Sequence, residues 1–401
     1  MTTPNKMTTL NKLIDPKQAS QLAKEHLITG LDAICVSLEP TDAQYEKAQK
    51  HYETIGQFLQ DENGEESLSK YKPSVYPQGS MRIRTAIRPN NGNEFDVDVV
   101  CEFQEQPHHE PKEVKKLLHK RLSSHATYKE MTEEKNRCLR LNYAGEFHMD
   151  IMPCVPETAY GHVRVPDKKL NAWKPSHPKG FAAFVDKAAA QTPKLQRLHE
   201  GKMVYEPLPP QQSFTKPPLL RIIQLLKRHR DEHFKNKQDA SPISVVITTL
   251  ATHAYNKQVH SQYYDSVFDL LCAVINDMPS HIEQRNNQWW VANPAHPSEN
   301  FAERWNQEPN LKQACDAWHL RLKKEMQLLL NPLNEGIDGL GKELNCFGEA
   351  SSKTATTRIS ESIGAASKSG TSAIMSPSFV VDAKNGYPSI TKNPPHTNFG
   401  A

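Results

Sequence analysis

Three aspartates and a glycine–serine pair are the residues of this chain whose types and spacing could do chemistry. Asp96 and Asp98 stand two residues apart in the strand-like run FDVDVVCEF, and Asp150 stands in a second such run, FHMDIMP. Side chains at i and i+2 of a strand point to the same face, and a neighbouring strand is able to bring Asp150 close. Three carboxylates beside a glycine meet the requirements of two-metal nucleotidyl transfer. We therefore expect all three aspartates to be catalytic residues and metal ligands.

Both carboxylate runs are otherwise apolar: Phe95 and Val97 flank Asp96, while Met149 and Ile151 flank Asp150. An ionised carboxylate directed at a core must be paired or bind a metal, because isolated burial of a charge costs too much free energy. Hard cations prefer carboxylate and phosphate oxygens, and we identify no Cys/His ligand set that competes with them. The expected cofactor is therefore a pair of Mg²⁺ ions, with Mn²⁺ as the alternative.

A small-residue turn, Gln78-Gly79-Ser80, precedes the first carboxylate run. Glycine lets the backbone approach a triphosphate, whose oxygens the Ser80 hydroxyl and backbone N–H groups then bind. A glycine–serine pair alone is also typical of an ordinary loop, so the interpretation depends on the nearby carboxylates. We expect nucleotide binding at Gln78, Gly79 and Ser80. Three arginines follow that either steer the nucleotide or face solvent: Arg82, Arg84 and Arg88.

The elements that must position these residues follow from hydrophobic spacing. Helices are predicted over 17–60, with Thr41 as an N-cap and Gln44 as its capping-box partner, and over 111–123. The strands CLRLNYAG and EFHMDIMPCV are separated by Gly145, which is typical of a hairpin. The order helix, strand pair, helix, strand pair predicts an α+β fold with a mixed sheet flanked by helices.

The second half of the chain is predicted to be mainly helical. PPLLRIIQLLKRHRDEHF indicates one strong helix, and SPISVVITTLATHAYN indicates another, with Ser241 as N-cap and Pro242 at its first position. Residues 349–376 are rich in Ser, Thr, Ala and Gly, which predicts a flexible linker. The expected organisation is bilobed: a nucleotidyltransferase lobe with an N-terminal helix over 1–165, a helical lobe over 166–348, and a linker and exposed tail over 349–401.

Composition favours a cytoplasmic enzyme. Among 401 residues the net charge is +3, so no overall electric field commits the chain to nucleic acid or to a membrane surface. Seven cysteines, an odd number without a CxxC pair, indicate reduced thiols rather than a disulfide framework. The start MTTPNKMTTLNKLIDPK has no apolar signal region, and no run approaches the length of a membrane span. We expect no membrane partner.

Taken together, YPQGS, FDVDVVCEF and HMDIMP resemble the polymerase-beta-like nucleotidyltransferases. More closely, the chain resembles the bacterial CD-NTases, the relatives of cyclic GMP–AMP synthase and oligoadenylate synthase that make cyclic di- and trinucleotides in anti-phage signalling. LLRIIQLLKRHRD and SPISVVITTLATHAY resemble the helical half of that family, and NPAHPSENFAERW resembles its downstream segment. This resemblance implies a polymerase-beta-like core with a helical second half.

The resemblance also implies an activity. Members of this family join ATP- or GTP-type nucleotides into a cyclic second messenger, release pyrophosphate, and reach a downstream effector through the product. The family's catalytic carboxylates fall on Asp96, Asp98 and Asp150 without substitution. The Cys/His cluster of the animal synthase's zinc-binding insertion is not recognisable here, so the resemblance implies no zinc.

Two further sites rest on the resemblance alone. A phosphate-binding lysine falls on Lys227, which is otherwise a helix lysine with its amine in solvent, and a phosphate-binding hydroxyl falls on Ser241 or Ser244. Some synthases of this kind have their C-terminus conjugated by a ubiquitin-transfer-like enzyme, which would act here on Ala401; the alternative is an end without a role.

Two other functions compete with cyclic-nucleotide synthesis. One is transfer of a nucleotide to RNA, a protein or a small molecule, although the minimal transferases lack so long a helical half. The other is a catalytically inactive scaffold that binds nucleotides or RNA, against which the intact aspartate triad argues. The near-neutral net charge also argues against an enzyme dedicated to extending RNA, which must bind a polyanion.

Overall fold

The computed structural model of the chain describes residues 21–89, 95–105, 110–157, 160–195, 216–330, 336–368, 372–375, 379–382 and 391–392. The helices are α1 (Gln21–Leu38), α2 (Asp42–Gln60), α3 (Gly79–Arg82), α4 (Pro111–Ser123), α5 (Ala126–Met131), α6 (Pro178–Ala189), α7 (Pro218–His233), α8 (Ser244–Gln258), α9 (Val267–Asp277), α10 (Glu303–Gln307), α11 (Pro309–Leu328), α12 (Gly336–Leu344) and α13 (Glu349–Lys368). The strands are β1 (Pro73–Pro77), β2 (Phe95–Phe103), β3 (Thr132–Glu134), β4 (Leu139–Tyr143), β5 (Phe147–Pro156), β6 (Val163–Asp167), β7 (Ala172–Ser176), β8 (Glu283–Arg285), β9 (Gln288–Trp290), β10 (Ala292–Asn293), β11 (His296–Asn300), β12 (Ser372–Met375), β13 (Phe379–Asp382) and β14 (Thr391–Lys392).

The chain forms two compact units, which we call the sheet unit and the helical unit. The sheet unit comprises Glu39–Ala190 and Glu283–Gln307, and the helical unit comprises Met1–Leu38, Gln191–Ile282 and Glu308–Ala401. Each unit is therefore built from separate stretches of sequence, whereas the domain boundaries predicted from the sequence lie after residues 165 and 348. In particular, α1 belongs to the helical unit, and the short strands β8 to β11 belong to the sheet unit.

A mixed sheet forms the centre of the sheet unit. Its strand order is β1-β2-β5-β4-β3, with β6 paired to β5 and β7 paired to β6. Strands β2 and β5 run parallel, and the other pairs of this sheet are antiparallel. The hairpin predicted around Gly145 is present as β4 and β5, and Gly145 has a φ of 76°. The predicted α+β class is confirmed.

Alternation along the strands separates a buried face of the sheet from a second face. Phe95, Val97 and Val99 of β2 join Met149 and Ile151 of β5 in one hydrophobic core. Helices α2 and α4 cover this face with fully buried side chains: Ile55, Leu59, Val114, Leu118 and Leu122. Each such side chain contributes roughly 1.5–3 kcal/mol on burial, so the core holds the strands in one register.

In the helical unit, buried ion pairs accompany the apolar packing. On α1, Lys24 Nζ lies 2.8 Å from Asp269 Oδ1 of α9, and its side chain is only 2% exposed. Arg221 Nε of α7 lies 3.0 Å from Asp32 Oδ1 of α1. Breaking a buried pair leaves an uncompensated charge, so these contacts fix α1 against α7 and α9.

The flexible linker predicted over 349–376 is wrong for its first twenty residues, which form α13. Ala355 and Ile359 are fully buried, and α13 packs against α1 beside Gly30. The linker interpretation failed because it judged composition alone: two apolar side chains four residues apart lie on one helix face, and small neighbours permit close packing.

The two predicted helix starts have different outcomes. On α2, Thr41 and Gln44 form the predicted capping box. On α8, the predicted cap at Ser241 is wrong: the helix begins at Ser244, and Ser241 instead ends a 3-10 turn. Arg230 Nη1 donates to the Pro242 carbonyl (3.0 Å), which holds this dipeptide in the loop before the helix.

Within the described ranges, no helix is long and apolar enough to cross a bilayer. Near the end of the chain, β12 pairs antiparallel with both β13 and β14. Ala401, the predicted conjugation site, lies outside the described residues.

Candidate active site

The parallel pairing of β2 and β5 brings the predicted carboxylates together. In this register Asp98 stands directly opposite Asp150, and Asp96, two residues before Asp98, stands opposite His148. Side chains of paired residues on adjacent strands project to the same face. The sheet therefore collects the three aspartates on one face, as their i and i+2 spacing predicts for the first two.

The apolar neighbours of the aspartates suggested that the carboxylates face the hydrophobic core. This prediction is wrong. Those neighbours point to the opposite face, where α2 and α4 cover them. The Asp96 side chain is 58% exposed and the Asp150 side chain is 17% exposed. The apolar alternation thus positions the carboxylates without burying them, and each is free of the full cost of charge burial.

Arg140 is the immediate partner of these carboxylates. It stands on β4 directly opposite Asp150. Its Nε donates to Asp150 Oδ1 (2.7 Å), and its Nη2 donates to Asp150 Oδ2 (2.8 Å) and to Asp96 Oδ1 (3.3 Å). A bidentate guanidinium–carboxylate pair is among the stronger hydrogen-bonded contacts in proteins. Arg140 therefore provides positive charge where the carboxylates concentrate negative charge.

The electrostatics of the cluster follow from this arrangement. The pKa of Asp96 is raised above its ordinary value because neighbouring protein removes part of its hydration and the Asp150 charge lies close, while Arg140 opposes the rise. Since the side chain is still 58% exposed, solvent limits this effect. The hydrogen bond to Asp150 raises the pKa of Arg140, which stays charged.

Gly79 lies against Asp98, and its backbone shows why glycine is needed there. The Gln78 N–H donates to the Asp98 carbonyl (2.8 Å), which attaches the turn to β2. Gly79 has a φ of 60°, in the left-handed region, and a Cβ added to it would overlap the Asp98 carboxylate. Any larger residue would therefore displace either the turn or the carboxylate.

The other residues of the predicted nucleotide-binding turn lie at the start of the short helix α3, which the sequence did not predict. The Ser80 carbonyl accepts from the Thr85 N–H (2.9 Å), and the Gln78 side chain donates to Met152 Sδ (3.8 Å). Arg82, for which two roles were open, forms an ion pair with Asp186 of α6 (2.9 Å). This pair attaches α3 to α6, a structural role in the free protein.

Lys227 and Ser244 belong to the helical unit, on α7 and α8. Lys227 is only 3% exposed, so the simple alternative of a lysine with its amine in solvent does not describe it. The Ser244 hydroxyl accepts from Arg230 Nη1 (2.9 Å). Their predicted contacts with donor phosphates stay predictions.

The donor set of the cluster suits a hard divalent cation. Asp96, Asp98 and Asp150 offer only carboxylate oxygens, the ligands that Mg²⁺ and Mn²⁺ prefer. The guanidinium of Arg140 bridging Asp96 and Asp150 is an independent sign that the cluster requires a compensating cation. These residues therefore fit the expected metal in type and charge.

Sequence reasoning missed Arg140, although a signal for it exists. A hairpin centred on Gly145 pairs residues at equal distances before and after the turn, and Arg140 and Asp150 are each five residues away. Once the hairpin is predicted, its register places the arginine beside the third carboxylate.

The chain is similar to several known proteins. Residues 27–188 match the Second Messenger Oligonucleotide or Dinucleotide Synthetase (SMODS) domain family. The chain is 31% identical over 295 residues to the c-di-GMP synthase of Roseivirga ehrenbergii, covering 72% of this chain and 76% of that protein. It is 26% identical over 311 residues to the cyclic dinucleotide synthase CdnG of Bradyrhizobium diazoefficiens, covering 72% of each. Among solved structures, the Bradyrhizobium diazoefficiens CD-NTase CdnG in complex with GTP is similar with a TM-score of 0.64 and 22% identity, covering 82% of this chain and 97% of that chain.

Proposed function

The chain belongs to the bacterial CD-NTase family, and from that premise we propose that it is a Mg²⁺-dependent synthase that joins nucleoside triphosphates, GTP among them, into a cyclic dinucleotide. As a family member it is a nucleotidyltransferase that makes a cyclic oligonucleotide, and the family uses divalent metal ions. The relatives named as a c-di-GMP synthase and a cyclic dinucleotide synthase support a product of two nucleotides. The relative bound to GTP supports that substrate.

One observation carries the proposal: the register that sets Asp98 opposite Asp150, with Gly79 against Asp98. A triphosphate approaching the open side of the Gly79 turn would meet the carboxylate face of the sheet within a few ångströms. The three aspartates lie on the face of the sheet away from the core that holds the strands, so the packing of that core does not account for them.

In the proposed reaction, a ribose hydroxyl oxygen of the acceptor nucleotide attacks the α-phosphorus of the donor. A P–O bond forms, the bond to the β-phosphate breaks, and pyrophosphate leaves with its electron pair. A second attack of the same kind within the linear intermediate closes the ring and releases a second pyrophosphate, and in each step the hydroxyl proton passes to solvent. Two Mg²⁺ ions held by Asp96, Asp98 and Asp150 would lower the pKa of the attacking hydroxyl and neutralise charge on the leaving pyrophosphate.

The remaining residues have positioning roles. Gly79 leaves room for phosphate oxygens and keeps the Asp98 carboxylate in place. Arg140 restrains Asp150 through two hydrogen bonds and stabilises the carboxylates when no other cation compensates them. Because divalent ions require the same carboxylate oxygens, we propose that Arg140 gives up part of its contact with Asp96 when substrate binds. Its weaker contact at 3.3 Å is the one to break.

The test is incubation of the purified chain with all four nucleoside triphosphates and Mg²⁺ or Mn²⁺, then phosphatase treatment and mass spectrometry. A phosphatase-resistant product with the mass of a guanine-containing cyclic dinucleotide is expected. A cyclic trinucleotide would contradict the proposed product of two nucleotides but not the proposed synthesis of a cyclic nucleotide. Labelled nucleotide found only on added RNA, protein or a small molecule would overturn the synthase in favour of a modifying transferase.

Lys227 and Ser244 are proposed ligands of the donor phosphates. Lys227→Met is expected to raise the KM for the donor triphosphate about tenfold or more, since a charged hydrogen bond contributes about 1.5–3 kcal/mol. Lys235→Met is the matched control, because that lysine follows the same helix with its side chain 60% exposed. An equal KM for the two variants would show that Lys227 does not bind the donor phosphates.

We also propose that the product serves as a second messenger in anti-phage signalling and that a ubiquitin-transfer-like enzyme conjugates Ala401. The first is measured by phage plating on cells that express the chain with its effector, against cells that express Asp96→Asn with Asp98→Asn. The second is measured by mass spectrometry of the C-terminal peptide with and without the conjugating enzyme. Protection by the inactive variant, or an unmodified peptide in both samples, would contradict them.

A further inference from the structure

A second group of metal-ligating side chains lies in the sheet unit, away from the aspartates. Glu157 follows β5, His162 precedes β6, and His296 begins β11. One ligand atom from each residue lies within 4.8 Å of the other two. Glu157 is seven residues beyond Asp150, which corresponds to roughly 20 Å along an extended chain. The group is therefore separate from the proposed catalytic carboxylates.

His296 is the buried member of the group, and its ring is held from one side. The residue is 9% exposed, with Nδ1 2.9 Å from Ser298 Oγ and Nε2 3.1 Å from Glu157 Oε2. When Nδ1–H donates to Ser298, the Nε2 lone pair faces the Glu157 carboxylate. In that tautomer two electron-rich atoms face each other and require a cation between them; in the other tautomer Nε2–H donates to Glu157 and the pair is an ordinary hydrogen bond. A histidine held at one nitrogen by an oxygen is the usual arrangement of a metal ligand.

His162 adds a second imidazole. Its ring centroid lies 4.4 Å from that of His296, and no hydrogen bond reaches its ring nitrogens from the described part of the chain. Two protonated imidazoles this close repel each other. A single metal ion would instead use the lone pairs of both neutral rings and the charge of Glu157.

His177 also lies near this group but is already engaged. Its ring centroid is 5.0 Å from that of His162, and its Nδ1 accepts from the Gly180 N–H (3.2 Å) at the start of α6. His177 is therefore not counted among the candidate ligands.

A similar-looking group in the helical unit shows what a purely structural histidine looks like. His229, Glu325 and Cys346 also lie close together. There Trp318 Nε1 donates to His229 Nδ1 (3.0 Å), so the ring proton is on Nε2 and is donated to Glu325 (2.8 Å). Both nitrogens are used, and no lone pair is left for a metal.

We propose that Glu157, His162 and His296 bind one divalent transition-metal ion of the zinc type. Two imidazole nitrogens and one carboxylate oxygen are a ligand set that Zn²⁺ accepts and Mg²⁺ does not favour. Three protein ligands leave a fourth position for water. The ion would join His296, in the segment Glu283–Gln307, to Glu157 and His162 at the ends of β5 and β6. The same segment is already attached to β7 by the ion pair between Glu303 and Lys174 (2.8 Å). The role of the ion is to stabilise the attachment of the segment Glu283–Gln307 to the sheet, and this role does not depend on the proposed catalysis.

The test is a zinc titration of the full chain, stripped of metal, in competition with a chromophoric chelator. To remove the aspartates as a second binding site, every protein also carries Asp96→Asn with Asp98→Asn. One zinc ion per chain is expected. His162→Gln or His296→Gln should weaken its affinity at least about a hundredfold, and Ser298→Ala about tenfold, as for loss of an outer-shell partner. His119→Gln, an exposed histidine of α4, is the matched control and should leave the affinity unchanged.

Thermal unfolding separates loss of the site from loss of the fold. Zinc should raise the unfolding midpoint of the parent protein, which carries only the two asparagine substitutions, and of His119→Gln. It should not raise the midpoint of His162→Gln. In EDTA all three proteins should have the same unfolding midpoint. If His162→Gln fails to fold, Glu157→Gln provides the same comparison from the exposed edge of the site. The proposal is overturned if the parent binds no zinc, or if folded ligand variants bind it as tightly as His119→Gln does. Either result would make Glu157 and His296 an ordinary hydrogen-bonded pair.

Discussion

Strand β5 supplies a residue to one cluster, and the residue after its end belongs to a second cluster with a different charge balance. Asp150 joins Asp96 and Asp98 in an all-oxygen group that is open to solvent and compensated by Arg140. Glu157, just beyond the strand, joins two imidazoles, one of them buried. The first group has more negative charge than one arginine can neutralise. The second places a single carboxylate beside two imidazole rings.

The difference indicates which cation each cluster accepts. Exposed carboxylates that exchange a guanidinium for hard ions suit metals that enter and leave with a substrate. A carboxylate with two imidazoles, one already oriented by Ser298, suits a tightly held borderline metal. On the two proposals made above, the first cluster binds its metals only during turnover and the second keeps its metal bound.

The largest expected effect separates the two clusters completely. Asp96→Asn with Asp98→Asn should reduce turnover at least about a thousandfold, because metal-assisted transfer depends on several kcal/mol of charge stabilisation. The zinc-dependent rise of the unfolding midpoint should persist. Both are measured on one preparation, by product mass spectrometry and by thermal unfolding. Turnover at the wild-type rate would end the two-metal interpretation.

Next in size is the effect of a methyl group at the turn. Gly79→Ala should reduce turnover about a hundredfold, since its Cβ overlaps the Asp98 carboxylate and a small misplacement of catalytic groups costs that much. Gly145→Ala is the matched control: its φ is also positive, at 76°, but its added Cβ would meet nothing within 4 Å. Both variants should lose about 1 kcal/mol of stability from backbone strain. Equal turnover in the two would show that Asp98 tolerates the methyl group.

A smaller effect is expected at Arg140. Arg140→Gln should lower the free energy of unfolding in EDTA by about 1–3 kcal/mol, because Asp150 loses its charged partner. Added Mg²⁺ should restore more stability to this variant than to wild type, since the carboxylates then lack their built-in cation. Arg358→Gln, which removes an exposed pair with Glu361, is the control and should change little. Chemical denaturation with and without Mg²⁺ measures both; equal Mg²⁺ effects would contradict the role given to Arg140.

The smallest effect concerns pH. Because the folded pKa of Asp96 is raised, its ionisation costs stability as the pH rises through that value, and the cost disappears below the ordinary aspartate pKa. In EDTA, Asp96→Asn should therefore be slightly more stable than wild type near neutral pH, with the difference vanishing on acidification. Denaturation midpoints across the acidic range measure it. A difference that grows on acidification would have the wrong sign for this site.

How much the sequence could predict differs between the two clusters for a physical reason. Asp96 and Asp98 are two residues apart, and the period of a strand alone places them on one face. Asp150 follows from a single strand pairing, and Arg140 from the register of a hairpin. The second cluster joins His296 to residues more than a hundred positions earlier in the chain. No local period encodes that contact, which explains why the sequence did not bring these three residues together.

The same distinction applies to the fold. The Thr41 cap could be predicted because both partners of a capping box stand within one turn. The start of α8 could not, because the Arg230 side chain from another helix holds the Pro242 carbonyl. Nor could α13, whose apolar residues are few and acquire their partners from elements distant in the sequence, α1 above all.

The packing of α13 on α1 determines how far the chain can be shortened in the laboratory. Ile359 fits so closely above Gly30 that a Cβ on that glycine would lie 2.9 Å from its terminal methyl. A version cut before Glu349 would leave this apolar surface of α1 uncovered and prone to self-association. Deletions designed for crystallisation or for tag placement should therefore keep α13.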